Sequence, residues 1–498
     1  MMLASASVEI GAAMPLWSIA PFAAILLSIA LLPMIAPRFW HHHYPKVAAG
    51  CALLFAIPFV IAYRAQAVHE IVHVLLADYV PFIILPAGLY TVCGGIVVRG
   101  NLIGRPLVNT VLLAISTALA SCLGTTGASM LMIRPVLRAN RHRKRSAHVI
   151  VFFIFLVSNI GGALTPIGDP PLFLGFLHGV PFAWTFNLLP EVVLLVGSLL
   201  VVFFVLDTLF ARGEVPPQTT LARAGLGGAH NLVFLAGIVG AVVWSGTCNL
   251  GEVTLLGATL GIAGLVRDAA ILLMALLAHA STRRELRVEN GFTWGAIREV
   301  AYLFAGIFMT IIPAVAILKA GESGALRPMI AAANSDTRFF WFSGALSSVL
   351  DNAPTYLTFF NTALGKLHLH EDVISGFLRQ LPLHFSTATA APDLVALLLD
   401  AHARLLPHFT AMPRAEAVSA LGDHLVRFES YLKAVSLGSV FMGANTYIGN
   451  APNFMVRSIA EENRVRMPSF FGYLLWSGVI LIPLFVGLTM LFDEGVWR

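Results

Sequence analysis

The chain has 498 residues, of which 58% are hydrophobic and only 11% are charged. Soluble domains carry about 25% charged residues, so this composition excludes a soluble globular protein and requires lipid as a solvent. The net charge of +5 is explained by the placement of basic loops beside a membrane, and it does not indicate nucleic-acid binding.

Apolar stretches of membrane-spanning length recur along the whole chain. A span needs about 20 predominantly apolar residues. We predict ten spans, at 16–36, 46–63, 79–98, 149–178, 185–211, 230–248, 253–281, 296–318, 431–457 and 470–492. The four cysteines lie in or beside these stretches without metal-ligand spacing, and we interpret them as packing residues.

Two further apolar segments, at about 107–134 and 338–365, each carry a helix-breaking polar stretch near the middle. The loops on both sides of the first segment are basic, and basic loops stay cytoplasmic. That segment must therefore enter and leave on one side, as a re-entrant hairpin. With both segments as hairpins, the short inner loops contain 19 Lys and Arg residues, and the short outer segments and termini contain 5. Non-helical backbone at membrane depth needs protein or water around it, so the hairpins indicate a solvated site.

A twelve-residue motif occurs twice, in the spans 149–178 and 431–457. Residues 162–173 and 443–454 are identical at seven of twelve positions, at an offset of 281. The motif contains Gly and Pro at matching positions, which interrupt a helix. We therefore predict two broken helices, which we name the first and the second broken helix.

The two halves of the chain align if the second half carries an insertion. The hairpins align at an offset of 226, which pairs Ser121 with Ser347 and places the insertion at 367–430. We interpret the insertion as a cap of short helices outside the membrane. Each half then has an odd number of crossings, so the second half is inverted.

The predicted fold is an all-α membrane protein of two inverted repeats, each with five transmembrane helices and one re-entrant hairpin. The first repeat covers 1–212, a cytoplasmic linker covers 213–229, and the second repeat covers 230–498.

The four broken segments supply groups that can bind an ion. Gly and Pro free backbone carbonyls and amides, and Thr and Asn add neutral oxygens, which suits a dehydrated cation or a carboxylate. The alternative is a proline kink that only shapes packing. The predicted ion- or substrate-binding residues are Thr125, Thr126, Ser158, Asn159, Thr165, Gly168, Asp169, Asp351, Asn352, Thr355, Asn445, Thr446, Gly449, Asn450 and Asn453.

Asp169 and Asp351 are the only acidic residues within these four segments. An acidic side chain at bilayer depth costs about 2.5–3.5 kcal/mol and indicates a function. We therefore predict that both bind Na⁺, with helix capping as the alternative. Arg267 and Asp268 also lie within a span, and we interpret them as a structural ion pair.

The first motif, Ser158–Pro171, resembles the broken-helix motif of NhaD-type sodium/proton antiporters and a loop of the divalent-anion/sodium symporters. Residues 350–355 and 443–453 are similar to second-half motifs of citrate-transporter and sodium/proton-antiporter sequences in the ion transporter superfamily. The resemblance covers the chain except 367–430. It implies a homodimer in which a transport domain, including the hairpins, moves as an elevator against a scaffold domain.

The leading functional prediction is a secondary transporter of the bacterial inner membrane that exchanges Na⁺ for H⁺. The alternative is cation-coupled transport of a di- or tricarboxylate, such as citrate, or of an oxyanion. Two carboxylates near the site favour a cation, and a non-transporting scaffold or receptor has no need of paired hairpins. The sequence has no nucleophile elbow, P-loop or zinc motif, so we expect neither an enzyme nor a cofactor besides the coupling ions. The expected partners are a small inorganic ion or organic anion, the lipid bilayer and a second copy of the chain.

Overall fold

The structure, a computed structural model, describes residues 11–100, 102–212, 214, 225–248, 250–381 and 390–493. Most of the predicted linker at 213–229 lies outside these residues. Within them the chain is helical, with two short antiparallel strand pairs. The predicted class, an all-α membrane protein, is therefore confirmed.

The described residues form twenty α-helices. Those of the first half are α1 (Ala20–Ile35), α2 (Pro37–His73), α3 (Val80–Cys93), α4 (Pro106–Ala139), α5 (Ala147–Leu156), α6 (Pro170–Leu177) and α7 (Leu189–Phe210). Those of the second half are α8 (Asn231–Thr247), α9 (Ile262–Ser281), α10 (Arg284–Glu289), α11 (Gly295–Lys319), α12 (Arg327–Ala332), α13 (Asp336–Val349), α14 (Asn352–Leu367), α15 (Glu371–Gln380), α16 (Pro392–Ala401), α17 (Pro407–Thr410), α18 (Arg414–Met442), α19 (Ala451–Glu462) and α20 (Phe470–Asp493).

Shorter elements join these helices. Strand β1 (Val97–Arg99) pairs with β2 (Gly225–Gly227), and β3 (Glu252–Leu255) pairs with β4 (Ala258–Gly261). A π-helical segment, Val74–Tyr79, connects α2 to α3. The 3-10 turns are Leu16–Ile19, Ile160–Leu164, Phe182–Leu188, Gly321–Ser323, Ala403–Leu405 and Gly443–Asn445.

Eight helical stretches in the described part are long and apolar enough to cross a membrane. They are Leu16–Pro33, Pro37–Cys93, Pro106–Ala139, Ala147–Leu164, Phe182–Phe210, Ile262–Ser281, Ile297–Lys319 and Phe470–Met490, and the shorter helix Asn231–Thr247 is also apolar. The chain is thus a multi-pass membrane protein.

The structure changes some of the predicted span boundaries. The spans 46–63 and 79–98 share the stretch Pro37–Cys93, which is interrupted at Arg64, where φ is +49°. The span predicted to start at 253 starts at Ile262, because the residues before it form β3 and β4. Their β-branched and glycine-rich sequence favours a hairpin of strands over a helix.

The segment α4 folds back on itself at Gly124. This residue has a φ of +74°, which glycine adopts without the steric cost that other residues incur. In a continuous helix, Asn109 and Asn140 would be about 46 Å apart. Instead, their side-chain amides form two hydrogen bonds of 2.9 Å with each other. The two limbs of α4 are therefore antiparallel, and we name this unit the first hairpin.

The helices α13 and α14 also fold back on each other, at Leu350 and Asp351. The extended backbone of Leu350, with ψ at 162°, ends α13. The ring centroids of Phe339 and Phe359 then lie 6.3 Å apart, although a continuous helix would separate these residues by about 30 Å. We name this unit the second hairpin. Its first limb packs on α18, where the Phe339 and Tyr431 rings stack at 4.2 Å.

The segment 367–430 contains the short helices α15, α16 and α17, together with the start of α18. Helix α18 begins at Arg414 and runs without interruption to Met442, so the second broken helix starts 17 residues before the predicted boundary at 431. The last part of the cap is therefore continuous with the second broken helix through α18.

Candidate functional site

The two broken helices follow the same backbone path. In each, a helix gives way to a 3-10 turn, and a second helix begins with proline at its first or second position, as in α6 and α19. The residue before the second helix is extended in both, with φ and ψ of −143° and 143° at Asp169 and of −152° and 140° at Asn450. Thr165 and Thr446 are extended as well. The repeated sequence therefore forms a repeated structure.

Paired glycines allow each break to close tightly. A Cβ atom on Gly168 would lie 2.1 Å from the carbonyl oxygen of Gly162, and one on Gly449 would lie 2.6 Å from that of Gly443. No side chain fits at either distance. The predicted site residues Gly168 and Gly449 therefore act through close backbone packing.

A threonine of each broken helix is bonded to a hairpin. The Thr165 hydroxyl donates to the backbone oxygen of Ser121 at 2.5 Å, and the Thr446 hydroxyl donates to that of Ser348 at 2.6 Å. The serine hydroxyls donate in return to backbone oxygens of the broken helices, from Ser121 to Gly161 and from Ser348 to Met442. Each broken helix is thus held against the hairpin of its own half.

These contacts correct the predicted alignment of the hairpins. Ser121 matches Ser348, at an offset of 227, and not Ser347, whose hydroxyl donates to the backbone of Ser439 instead. The predicted alignment was wrong by one residue because Ser347 and Ser348 are adjacent serines. The sequence of a helical limb does not show which of the two contacts the broken helix. The corrected alignment makes Thr125 and Asn352 equivalent to each other.

Asp169 is the point where the four broken segments meet. Its carboxylate accepts hydrogen bonds from the Thr125 hydroxyl at 2.9 Å, from the Asn450 amide at 3.2 Å and from the Asn352 amide. The side chain is 1% exposed. The donors come from the first hairpin, the second broken helix and the second hairpin, so one carboxylate connects both halves of the chain.

A small cavity of about 40 Å³ adjoins this carboxylate. Thr125, Thr126, Gly168 and Asp169 line it, together with apolar residues of α3 and the two broken segments of the first half. The lining contains no Lys or Arg among the described residues. Since one water needs about 10–15 Å³ of such space, the cavity has room for an ion with a few waters.

Asn352 presents an oxygen that has no partner. Its amide nitrogen donates to Asp169, while its Oδ1 atom is buried and forms no hydrogen bond with any described residue. A buried polar atom without a partner costs about 1–3 kcal/mol. Carbonyl and carboxylate oxygens are the ligands of hard cations. The Asn352 oxygen beside the Asp169 carboxylate is therefore suited to such a cation.

Three asparagines among the predicted site residues form a chain of hydrogen bonds next to Asp169. The Asn159 amide donates to Asn453 at 2.8 Å, and the Asn450 amide also lies 3.1 Å from the backbone oxygen of Ser158 and 3.3 Å from Asn159 Oδ1. Asn453 in turn donates to the backbone of its own broken helix. These residues connect the two broken helices, with Asn450 in direct contact with the carboxylate and Asn159 and Asn453 extending the network around it.

Other predicted residues lie farther from this centre. The Asp351 carboxylate is partly exposed and caps α14 by accepting from the Ala353 amide at 3.1 Å, and the Thr355 hydroxyl donates to the Asp351 backbone at 3.0 Å. The Asn445 amide donates to the Ser348 hydroxyl at 2.9 Å. These side chains stabilise the second hairpin through bonds within it or to the second broken helix, rather than through the Asp169 carboxylate.

A buried ionic cluster at the base of the first hairpin was missed at the level of sequence. Asp207 is fully buried and contacts Arg143, His148 at 2.7 Å and Asn109 at 2.9 Å. The cluster ties the first hairpin to α5 and α7. Asp207, an acid near the end of the apolar span 185–211, was the signal that could have revealed it.

Two further ion pairs lie within or beside predicted spans. Lys433 on α18 lies 2.6 Å from the Glu191 carboxylate on α7, and both side chains are buried. Arg267 donates to Asp268 at 2.7 Å, which confirms the predicted pair, and its guanidinium lies 5.5 Å from the centroid of the Phe173 ring.

The fold and the site together define a class of protein. Many apolar helices, interrupted at mid-length around one buried carboxylate, are the construction of membrane transporters. The chain belongs to the protein family described as "Putative citrate transport", which matches residues 11–493. No curated protein matches the chain significantly.

Proposed function

We propose that this transporter is a secondary active one that exchanges Na⁺ for H⁺ at Asp169. The observation that carries the proposal is the position of that carboxylate, which is buried where both hairpins and both broken helices meet. A carboxylate binds either a proton or a hard cation, and the two compete for the same oxygens. This competition is the minimal requirement for antiport.

The size and charge of the site favour a cation. Pockets for small organic ligands usually have about 300–1,000 Å³, whereas the cavity beside Asp169 has about 40 Å³. A citrate-like anion also needs basic groups, and no Lys or Arg of the described chain lines this cavity. The unpartnered Asn352 oxygen supplies a further ligand for Na⁺.

For the mechanism, we propose two inverted repeats whose hairpins re-enter the membrane from opposite sides. The charge bias of the loops supports this topology, as do the equivalent contacts of Thr165 and Thr446 with the hairpins. The hairpins and broken helices would form a transport domain that moves as an elevator against a scaffold containing α2, α3, α9 and α11. The proposed setting is a homodimer in a bacterial inner membrane. Within it, Asp169 carries the exchange and Asp351 attracts cations to the second hairpin.

The second candidate function is cation-coupled transport of a di- or tricarboxylate, or of an oxyanion. The family description favours it. In that case Asp169 would hold the coupling cation, and the organic anion would enter only after the cavity had widened. The two candidates share the cation site and differ in what moves with the cation.

Reconstituted protein in liposomes distinguishes the two functions. A pH-sensitive dye inside the liposomes reports proton movement after addition of Na⁺, Li⁺ or K⁺, and labelled citrate and succinate report anion uptake. Antiport predicts Na⁺-dependent proton movement without either anion. Proton movement only in the presence of an anion would favour the second candidate.

The aspartate is tested in the same assay. Asp169→Asn should reduce exchange to the level of empty liposomes, and Asp169→Glu should retain part of it. Asp400→Asn is the matched control, because Asp400 lies in an exposed ion pair with Arg414 at 2.7 Å. Unchanged exchange in Asp169→Asn would refute the proposed role.

A further inference from the structure

A second cavity, of about 900 Å³, lies on the side that the charge bias assigns to the outside. Its walls come from the π-helical segment and from α6, α9, α11 and α15. We name it the outer cavity. It is separate from the small cavity beside Asp169, and the function proposed above leaves it without a role.

Four charged or titratable side chains form a connected group in this outer cavity. His178 Nδ1 lies 2.9 Å from the Glu371 carboxylate, and His178 Nε2 lies 3.7 Å from that of Asp78. Lys319 donates to the other Glu371 oxygen at 2.7 Å. The Nε2 atom forms no hydrogen bond with any described residue.

The position of His178 connects this group to the ion site. His178 directly follows α6, the eight-residue helix that begins after Asp169. The two side chains therefore stand at opposite ends of one short helix, about 12 Å long. Asp78, Lys319 and Glu371 belong to three other elements: the π-helical segment, α11 and α15. The contacts of His178 with these residues therefore also hold α6, the helix that directly follows Asp169.

Protonation decides whether His178 can bind both carboxylates. A neutral imidazole has one N–H group and one lone pair, so it can donate to Glu371 or to Asp78 but not to both. With one nitrogen facing each carboxylate, only the imidazolium form suits both neighbours. π-Helical segments such as the one that carries Asp78 are also frequent at functional sites.

The surrounding charges favour the imidazolium as well. Besides Asp78, Glu371 and Lys319, the side chains facing this group are Glu70 and His73 of α2. Three carboxylates thus oppose one ammonium group before either histidine is protonated. The other charged or titratable residues that line the same cavity are Glu252, Arg267, Asp268, Asp372, Arg379 and His402.

We propose that His178 is a proton-binding site of the outer cavity and that this site is separate from Asp169. In its protonated form, His178 fastens α6 to α11, α15 and the π-helical segment. Loss of the proton releases one of the two carboxylate contacts and loosens α6, the helix that directly follows Asp169. The consequence for transport rests on the function proposed above, because it presumes that α6 moves during exchange. The proton-binding site itself does not depend on that function.

The stability of the full-length protein in detergent tests the binding site without transport. Histidine titrates between about pH 5 and 8, and the imidazolium is favoured in the folded state. The contribution of the His178 imidazolium to folding stability is therefore complete at the acid end of this range and is lost as the pH rises. The wild type should lose thermal stability relative to His178→Gln across this range. His279→Gln, which removes an exposed histidine, should behave like the wild type. Identical pH profiles for the wild type and His178→Gln would overturn the proposal.

A native cysteine tests the loosening of α6. Cys248 lines the outer cavity next to Gly246, where a Cβ atom would lie 2.9 Å from the Phe176 ring of α6. In a variant without the other three cysteines, a membrane-impermeant maleimide should label Cys248 faster in His178→Gln than in the His178 form at about pH 6. The difference should disappear at about pH 8. If the two proteins are labelled at the same rate at about pH 6 as well as at about pH 8, the fastening role is contradicted.

The two proposals fail separately. Asp169→Asn should lose exchange but keep the pH-dependent stability that His178 provides. If both variants keep exchange while His178→Gln loses the pH dependence, the proton site stands and the proposed role of Asp169 falls. If His178→Gln keeps the wild-type pH dependence, the proton site falls whatever Asp169 does.

Discussion

The Asp169 carboxylate and the Asn450 amide are hydrogen bonded at 3.2 Å, although these residues occupy equivalent positions in the two copies of the motif, 281 residues apart. A second pair of equivalent residues meets at the same carboxylate. Thr125 and Asn352 occupy equivalent positions in the two hairpins, and both donate to Asp169. Two pairs of equivalent residues thus converge on one point. The first half supplies the charge, and the second half supplies a neutral amide in its place.

Exchanging the two residues tests this relationship. Asp169→Asn alone should abolish cation exchange, because no carboxylate remains between the broken helices. The double variant Asp169→Asn with Asn450→Asp restores one carboxylate, hydrogen bonded to one amide, at the same junction. We expect it to recover part of the exchange in liposomes. If the double variant is as inactive as the single one, a carboxylate at position 450 cannot replace the carboxylate at position 169.

The charge and the capping role of Asp351 can be separated. Asparagine caps helices as well as aspartate does, whereas alanine does not, at a cost of about 1 kcal/mol. Asp351→Asn should therefore leave thermal stability unchanged and weaken cation exchange, while Asp351→Ala should lower both. The measurements are the melting temperature and the apparent Na⁺ affinity. Wild-type affinity in Asp351→Asn would leave the residue as a helix cap alone.

The proposed topology predicts labelling from opposite sides of the membrane. Arg141 and Thr410 are both exposed, after the first hairpin and in the cap respectively. Single cysteines at these positions should react with an impermeant maleimide from the cytoplasmic side for Arg141→Cys and from the outer side for Thr410→Cys. Labelling of both from one side would contradict the inverted repeats.

The Glu371 carboxylate predicts an acid-dependent loss of stability. Burial alone would raise its pKa, but Lys319 and His178 hold the pKa of Glu371 well below its ordinary value of 4.5. The ionised form therefore stabilises the fold above about pH 4.5, and the contribution is lost as the pH falls through the lowered pKa. Glu371→Gln should cost about 1.5–3 kcal/mol at neutral pH. The difference from the wild type in chemical unfolding should shrink in acid, and an equal difference at all pH values would contradict the ionic explanation.

The Arg143 guanidinium should be essential for stability. Its side chain is 1% exposed and contacts Asp207 and, at 3.1 Å, Glu214. Arg143→Met leaves the buried Asp207 without its main cationic partner, which typically costs about 3–5 kcal/mol. Arg141→Met, two residues earlier and exposed, should change little. Similar melting temperatures for the two variants would show that the buried pair contributes little.

The sequence predicted the membrane class and the repeated breaks because both depend on local composition. Long apolar stretches require lipid, and glycine and proline in a span interrupt it wherever the span packs. The motif around Asp169 could therefore be recognised from its residues and from its second copy. The direct contact of Asp169 with Asn450 could not be predicted in the same way, because it depends on how the two halves pack.

The parts that the sequence could not supply depend on contacts between distant segments. Nothing near His178 indicates that Asp78 and Glu371 will face it, since the three residues lie on separate elements. The hairpin alignment was one residue wrong for the same reason, because the contacts of Ser348, and not its sequence neighbours, identify it as the counterpart of Ser121.

The asymmetry of the central pair has an electrical consequence. Because Asp169 faces a neutral Asn450, this contact contains a single carboxylate, and in the proposed exchange either one Na⁺ or one proton would neutralise it. Each complete cycle would then carry one positive charge inward and one outward, so the transporter would generate no current. The driving force of the exchange would then come from the two concentration gradients and not from the membrane voltage.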